Sequence, residues 1–344
     1  MESPTPDYGR RAPSIRATGH TKVSIMTTFK LTAIIAVLAA IISSPASAAD
    51  LLRLAIGQRG LWDSSFADIG QSAGIFRRHG LELQAVYTSG GGETLQAVIS
   101  GSVDIGVSAG TLGVLGAYAK GAPVRIMAGE ATGTAEYYFV RADSKVGKDF
   151  AGVTPNMTLA YSTAGSGTHI TALRFMKERN FAAKLTATGN VPATFTQVMS
   201  RQVDIGFSTP PFGLDAIDAG QIRLIALAND LTSVRDQTIR VIIANAGDLA
   251  RRREIYTRFL LAYGEAIDWM YADVGALAAF AQWAAISPAM ARRVRDGFYP
   301  KEMLQLDRVK GLAGMIEDAI AFKYLARPLT DAQIAELVQT AKAP

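Results

Sequence analysis

The chain has 344 residues, of which 49% are hydrophobic and 19% charged, a balance that favours a folded globular protein over a disordered one. A chain of this length is expected to form two packed units rather than one core. It contains no cysteine, which excludes disulfide bonds, thiolate zinc sites, iron–sulfur ligation and a cysteine nucleophile.

The N-terminus has the features of an export signal. A basic stretch at 26–30 precedes a mostly apolar run at 31–42, and Ala46-Ser47-Ala48 then offers the small-x-small pattern that a signal peptidase accepts. The run is shorter than the ~20 residues that span a bilayer, so a cleaved signal peptide at 26–48 is favoured over an anchor. Residues 1–25 are interpreted as a disordered leader or a misassigned start. Residues 1–48 carry three of the five net positive charges, and no dense basic run follows that would indicate a nucleic-acid partner.

Two segments repeat at a distance of 100 residues. Aligned without gaps, residues 91–110 and 191–210 share eight of twenty positions, including Val-Asp-Ile-Gly at 103–106 and at 203–206. Short apolar runs alternate with helical patterns in the same order around both copies. This alternation predicts two similar α/β lobes, each built on a mostly parallel sheet. The predicted strands lie at 51–56, 81–86, 103–106, 124–127 and 137–140 in the first copy and at 157–161, 203–206, 222–225 and 239–243 in the second.

Apolar spacing predicts helices both in the two copies and in the tail that follows them. In the copies they lie at 69–78, 93–100 and 168–178. Residues 248–344 are helical throughout, and we expect them to pack on the flank of the first lobe, with Trp269 and Trp283 in the core. Thr330 or Asp331 is expected to cap the last helix. The predicted helices of the tail lie at 254–270, 274–284, 288–296, 301–322 and 330–342.

Ligands of open α/β sheets bind beyond the carboxyl ends of the strands. Both Val-Asp-Ile-Gly strands end in small or hydroxyl residues, which let a ligand approach the backbone and can donate hydrogen bonds. Two lobes that face each other with such ends form one cleft between them. The candidate ligand contacts after the two strands are Ser108, Thr111, Ser208 and Thr209.

The glycine-rich loop at 162–168 is the strongest candidate for a binding site. It leads from a strand into a helix, whose free N–H groups and dipole favour a carboxylate, a sulfonate or a phosphate. It lacks the lysine of a P-loop and the third glycine of the dinucleotide fingerprint, and a turn that merely caps the helix is the alternative. The candidates here are Ser162, Gly165, Ser166, Gly167, Thr168 and His169, with Gly91 and Gly92 as their counterparts in the first copy.

Four candidates remain open to a structural explanation. Arg59 can pair with an anion or be solvated, Trp62 can stack on a ligand or lie in the core, and Glu130 and Thr132 can line a hinge. Catalysis has little support, because the chain after residue 48 has two histidines and no HExxH, GxSxG or Cys/His pairing. We therefore predict no enzyme, no cofactor and no metal. Asp104 and Asp204 are interpreted as strand-edge carboxylates bonded to nearby backbone.

The segments at 72–83, 101–106 and 162–168 together resemble the nitrate/sulfonate/taurine class of periplasmic solute-binding proteins, a superfamily that also includes binders of thiamine-pyrimidine precursors. The resemblance covers roughly residues 51–270. It implies a two-lobe, Rossmann-like α/β fold with a hinge, that of type II periplasmic binding proteins, with the C-terminal helices packed on lobe one. Lobe one would comprise 50–136 plus 239–344, and lobe two 142–238, with the hinge near residues 137–141 and 239–244.

The resemblance further implies a periplasmic, monomeric protein whose partners are an ABC permease and its ATPase, and an organic anion, carboxylate or sulfonate, bound by the loop at 162–168. Two other functions stay open. One is an enzyme on the same fold, forming a menaquinone precursor or a pyrimidine. The other is a periplasmic module that senses a ligand for a membrane partner.

Overall fold

The computed structural model of the protein describes residues 49–340, so the predicted leader at 1–25 and the predicted signal peptide at 26–48 lie outside the described residues. The strands of this part are β1 (Asp50–Gly57), β2 (Leu81–Thr88), β3 (Ile105–Gly110), β4 (Val124–Thr132), β5 (Tyr137–Arg141), β6 (Thr158–Tyr161), β7 (Lys184–Ala187), β8 (Gly206–Ser208), β9 (Ile222–Leu227) and β10 (Thr238–Asn245). Its α-helices are α1 (Phe66–Ser72), α2 (Ile75–Arg78), α3 (Gly91–Ile99), α4 (Thr111–Ala119), α5 (Gly167–Glu178), α6 (Val191–Met199), α7 (Leu214–Asp218), α8 (Thr232–Arg235), α9 (Ala246–Arg251), α10 (Arg253–Ala272), α11 (Val274–Ala284), α12 (Pro288–Phe298), α13 (Leu312–Ala321) and α14 (Asp331–Leu337).

The strands form two sheets of the same order. In the first, which we call lobe one together with its helices, the order is β2-β1-β3-β10-β4, with β10 antiparallel to both neighbours. In lobe two, β7 pairs with β6 and β8-β5-β9 form an antiparallel group. A bridge between Leu159 and Ile205 joins the two groups. The resulting order, β7-β6-β8-β5-β9, repeats that of lobe one and confirms the predicted α/β class.

The last strand of each copy lies in the sheet of the other copy. Strand β5 follows the first copy in the chain but pairs with β8 and β9, and β10 follows the second copy but pairs with β3 and β4. The expectation that residues 137–140 and 239–243 close their own copies is therefore wrong. Apolar runs predict that both segments are strands, but they do not specify the pairing partner, which depends on long-range contacts.

The repeated Val-Asp-Ile-Gly sequence has the same packing role in both lobes. Asp104 accepts a hydrogen bond from the backbone N–H of Arg53 at 2.8 Å, and Asp204 accepts one from that of Thr158 at 2.8 Å, which confirms both as strand-edge carboxylates. The glycine allows a helix to approach the strand closely. A Cβ at Gly106 would lie 2.9 Å from Val98 in α3, and one at residue 206 would lie 2.8 Å from Val198 in α6.

Three predicted helices end differently in the structure. The helix expected at 69–78 is broken into α1 and α2, because Gly74 adopts a left-handed conformation with φ +74°. The helix expected at 301–322 is wrong over its first part, where a short 3₁₀ turn at Lys301–Met303 and an irregular segment precede α13. The last helix ends at Leu337, and Thr330 caps it as predicted by accepting from the Gln333 N–H at 3.3 Å.

The C-terminal helices cover lobe one, and one of them also reaches lobe two. Helix α10 packs on α1 and α2, and α13 packs on α4. Asp318 of α13 forms a buried ion pair with Arg174 of α5, at 2.9 Å, across the two lobes. Trp269 and Trp283 are only half-buried at the edge of this core. No single helix among residues 49–340 is long and apolar enough to cross a membrane, and α11 with α12 reaches that composition only as a pair bent by 108°.

Candidate functional site

A narrow cleft with a volume of about 40 Å³ lies between the lobes, where three helices begin. Gly91, Gly167 and Val191, which are the first residues of α3, α5 and α6, all line it. Their free N–H groups and helix dipoles favour a hydrogen-bond acceptor or a negative charge. Seven of the predicted candidates are brought together here: Gly91, Ser108, Ser162, Ser166, Gly167, Thr168 and Thr209.

The glycine-rich loop presents a cluster of three buried hydroxyls, those of Ser162, Ser166 and Thr168. They are hydrogen-bonded to one another at 2.9–3.0 Å, and the Ser162 N–H donates to Thr168 Oγ1 at 2.8 Å. Ser166 is also the N-cap of α5, since its Oγ accepts from the His169 N–H at 3.2 Å. The local sequence thus closes the loop onto the helix start and holds the hydroxyls at the cleft.

Two of the predicted glycines, Gly92 and Gly165, lie at the contact between the lobes and do not line the cleft. A Cβ at Gly92 would collide with the Ala164 carbonyl, and one at Gly110 or Gly113 would collide with the Gly165 carbonyl. Close approach of backbone to backbone across the lobes therefore requires glycine at these positions.

Direct hydrogen bonds and ion pairs hold the lobes in a closed arrangement. The Gly92 N–H donates to Thr163 Oγ1 at 3.1 Å, and the Val191 N–H donates to Gln58 Oε1 at 3.1 Å. Farther out, Arg293 of α12 pairs with Asp218 of α7 at 2.6 Å. The cleft is consequently narrow.

Two candidates near the end of β1 lie outside the cleft. Trp62 is fully buried, packs edge-on against Phe280 and donates its Nε1–H to Tyr271 Oη at 2.9 Å, so it belongs to the core of lobe one. Arg59 is exposed and places its guanidinium over the Trp283 ring at 4.7 Å.

Three hydroxyl candidates are also engaged elsewhere. Thr111 is buried and donates to the Thr238 carbonyl at 2.6 Å. The hydroxyl of Thr132 is hydrogen-bonded to the hydroxyl of Thr238 at 2.9 Å. Ser208 donates to the Phe212 carbonyl at 2.8 Å and lines a separate, more apolar pocket between α6 and α7.

His169 lies one turn behind the hydroxyl cluster. Its ring stacks on Tyr161 with centroids 4.2 Å apart, and its Nδ1 lies 2.6 Å from Tyr324 Oη. Burial lowers the pKa of His169 to about 4, so the ring is neutral at physiological pH. It does not line the cleft, and it supports the loop by accepting from the Gly165 N–H at 3.3 Å.

The main feature that the sequence does not predict is a buried charge cluster at the floor of the cleft, formed by Asp63, Glu130, Glu136 and Arg240, of which only Glu130 is a candidate from the sequence, for the hinge. Arg240 pairs with Asp63, Glu130 accepts from Ser108 Oγ at 2.6 Å, and Glu136 accepts from Thr171 Oγ1 at 3.0 Å. Glu136 and Arg240 line the cleft itself. A charged residue inside the otherwise apolar strand β10 was the available signal, since lone charges are rarely buried without a role.

Burial shifts the protonation of this cluster. It raises the pKa of Glu130 to about 7 against the attraction of Arg240, and it also raises the pKa of Glu136 above its ordinary value. Ser108, which donates to Glu130, has a left-handed backbone at φ +67°, a strained conformation for a non-glycine residue. Among residues 49–340, no group of three or more His, Asp or Glu is arranged to hold a metal ion.

Comparison with known proteins gives a family and a fold. The sequence model described as NMT1/THI5 like matches residues 67–274, more than half of the chain. No curated protein sequence matches the chain significantly.

Several solved structures resemble the chain over most of its length. The alkanesulfonate-binding protein SsuA from Xanthomonas axonopodis pv. citri, bound to MOPS, has a TM-score of 0.67 at 19% identity over 85% of this chain and 98% of its own. The ligand-binding component of an ABC-type import system from Staphylococcus aureus has a TM-score of 0.65 at 10% identity over 83% and 95%. The periplasmic nitrate-binding protein NrtA from Synechocystis PCC 6803 has a TM-score of 0.63 at 15% identity over 84% and 85%. At these identities the likeness shows the fold alone, that of periplasmic binding proteins.

Proposed function

Since the chain belongs to the NMT1/THI5-like family, we propose that it is a solute-binding protein that encloses a small molecule between its two lobes. This family membership confirms the resemblance found in the sequence. The observation that carries the proposal is the cleft itself, in which helix starts from both lobes converge on one polar space. A ligand held there contacts both lobes, and it favours the closed arrangement by its higher affinity for that state.

The ligand that we propose presents an acceptor group to lobe two. The hydroxyls of Ser162, Ser166 and Thr168 and the N-terminus of α5 lie side by side at the cleft. Such a set suits a carboxylate or a sulfonate, whose several oxygens accept several hydrogen bonds at once. The only aromatic ring among the lining residues is that of Phe207, so the cleft offers little surface for stacking.

We propose binding rather than catalysis as the role of these residues. The hydroxyls of the cluster donate to one another, and within the described residues none of them is hydrogen-bonded to a histidine ring or a carboxylate that would activate it as a nucleophile. The nearest ring, His169, is engaged with Tyr324. Similarity to solved binding proteins supports the same conclusion.

Delivery of the ligand to an ABC permease and its ATPase, in the periplasm and as a monomer, is part of the proposal. It is supported by the fold, by the match to an ABC-type ligand-binding component and by the signal-like sequence at 26–48. We propose the hinge near residues 137–141 and 239–244, directly after the crossings from β4 to β5 and from β9 to β10, between a lobe one of 50–136 plus 239–344 and a lobe two of 142–238. These crossings are the two places where the chain passes between the sheets.

A thermal-melt screen tests the proposal. The purified protein is heated with alkanesulfonates, aromatic carboxylates, nitrate, pyrimidines and flavins, and each hit is followed by small-angle X-ray scattering. A ligand at one hundred times its dissociation constant adds about 2.7 kcal/mol and raises the melting temperature. A hit that also compacts the protein supports capture between the lobes, whereas turnover of a bound compound, or no shift by any compound, contradicts the proposal.

A further inference from the structure

The buried charge cluster contains more negative than positive groups. Asp63, Glu130, Glu136 and Arg240 are only 1%, 1%, 3% and 6% exposed. Three carboxylates surround one guanidinium, so the fully ionised cluster carries a net charge of −2. Buried charges are costly unless they are paired and hydrogen-bonded, and a single arginine cannot neutralise three acids.

The hydrogen bonds within the cluster are also incomplete. Asp63 Oδ1, Glu130 Oε2 and Arg240 Nε are buried and have no hydrogen-bond partner in the described part of the chain. Two of these three atoms are acceptors, and carboxylate oxygens can accept several bonds each. The cluster therefore lacks positive charge, and two of its acceptors and one of its donors lack a partner.

The cluster opens to the cleft through Glu136 and Arg240, which both line it. Glu136 Oε1 lies beside the first residue of α5, since a Cβ at Gly167 would be 3.4 Å from it. Part of the favourable field at this helix start is thus already used by a carboxylate of the protein. A bare anion at the same place would face the charge of Glu136.

We propose that the ligand of this cleft is amphoteric: a protonated amine or amidine of the ligand binds Glu136, while its acidic group binds the hydroxyl cluster of Ser162, Ser166 and Thr168 beside Arg240. The inference rests on the proposed function and narrows its ligand class. The cationic group supplies positive charge to a cluster that lacks it, and it donates to Glu136, whose carboxylate lines the cleft. The acidic group keeps the contacts to the start of α5.

Matched pairs of small acids that differ only in an amino or amidino group test this inference. Propionate and β-alanine, ethanesulfonate and 2-aminoethanesulfonate, and benzoate and 4-amidinobenzoate are titrated into the purified protein by calorimetry. We expect the nitrogen-bearing member to bind at least tenfold more tightly in at least one pair, which corresponds to about 1.4 kcal/mol. Tighter or equal binding of the plain acid in every pair overturns the inference.

The variant Glu136→Gln assigns the effect to a residue. It should abolish the preference for the nitrogen-bearing member over the plain acid. The control Glu317→Gln, which removes an exposed carboxylate on α13, should leave this preference unchanged. A preference that survives in Glu136→Gln overturns the assignment to this residue. If the variant does not fold, the comparison within each pair on the unmodified protein still decides the inference.

The same titrations separate this inference from the proposed function. Plain acids that bind and compact the protein, with no gain from the amino group, leave the proposed function standing and refute the amphoteric ligand. No binding by either member of any pair refutes the amphoteric ligand as well, and the broader thermal-melt screen then decides the proposed function alone.

Discussion

Removing the charge of Glu130 should stabilise the ligand-free protein at neutral and alkaline pH. The change Glu130→Gln keeps an oxygen that can accept from Ser108 Oγ and nearly preserves the volume of the side chain. It removes a carboxylate that shares Arg240 with two other acids. The titratable or charged groups that face it are Asp63, Arg240 and Tyr263.

The magnitude follows from the pKa of Glu130, which burial raises from the ordinary 4.5 to about 7. This difference in pKa means that the free energy of unfolding is higher with Glu130 protonated than with Glu130 ionised, by on the order of 3 kcal/mol. Because the pKa is raised in the folded state, the protonated side chain is favoured by folding, and the stability that it contributes is present below pH about 4.5. That contribution is lost as the pH rises through about 7, so the free energy of unfolding falls between pH 5 and pH 8.

Urea unfolding at pH 5 and pH 8 measures the effect. We expect the variant to match the original protein at pH 5 and to exceed it at pH 8 by up to about 3 kcal/mol. Its own decline with pH should be smaller but present, because the pKa of Glu136 is raised as well. Glu317→Gln is the exposed control. A variant that is less stable at pH 8, or that shows the original pH dependence, would refute the reasoning and mean that Arg240 requires an ionised Glu130.

Three further predictions concern closure, capping and the tail. Gly110→Ala should weaken ligand binding at least tenfold in calorimetry without lowering the ligand-free melting temperature, because its Cβ collides with lobe two only when the cleft is closed. The control is Gly297→Ala, where a Cβ meets nothing within 4 Å. Equal ligand affinities of the two variants would contradict the closed arrangement. Ser166→Ala should lower the free energy of unfolding by about 1 kcal/mol through loss of the α5 cap, and an unchanged urea midpoint would show that the cap contributes nothing. Asp318→Ala should cost about 3–5 kcal/mol in the same assay, since it leaves Arg174 buried without its partner, and a cost below 1 kcal/mol would show that water replaces the carboxylate.

The sequence predicts the architecture well where the information is local. The Val-Asp-Ile-Gly repeat specifies two equivalent strand ends, and the glycine-rich loop specifies a helix start, because strand and helix patterns and glycine conformations depend on neighbouring residues. Seven of the candidate residues line the cleft for this reason. The break at Gly74 was misjudged because the apolar spacing continues across it.

The rest of the candidate site depends on which distant segments meet. Arg240 reaches the floor of the cleft only because β10 is inserted between β3 and β4, more than 100 residues away in the chain. Trp62 resembles a ligand-stacking residue by its place after β1, but α10 and α11 fold over it and bury it. Neither arrangement leaves a periodic pattern in the sequence, so propensity and spacing cannot predict it.

The mutual insertion of β5 and β10 also determines when this protein can fold. Lobe one lacks its fourth strand until residue 245 has been synthesised, and lobe two needs a strand that is made before its own first strand. The segments that encode lobe one therefore flank the strands of lobe two, which all lie between residues 137 and 227. A nascent chain can complete the sheet of lobe two while lobe one still lacks β10, and pairing of β10 with β3 over so long a sequence separation is slow. Lobe two should consequently become native before lobe one in refolding kinetics.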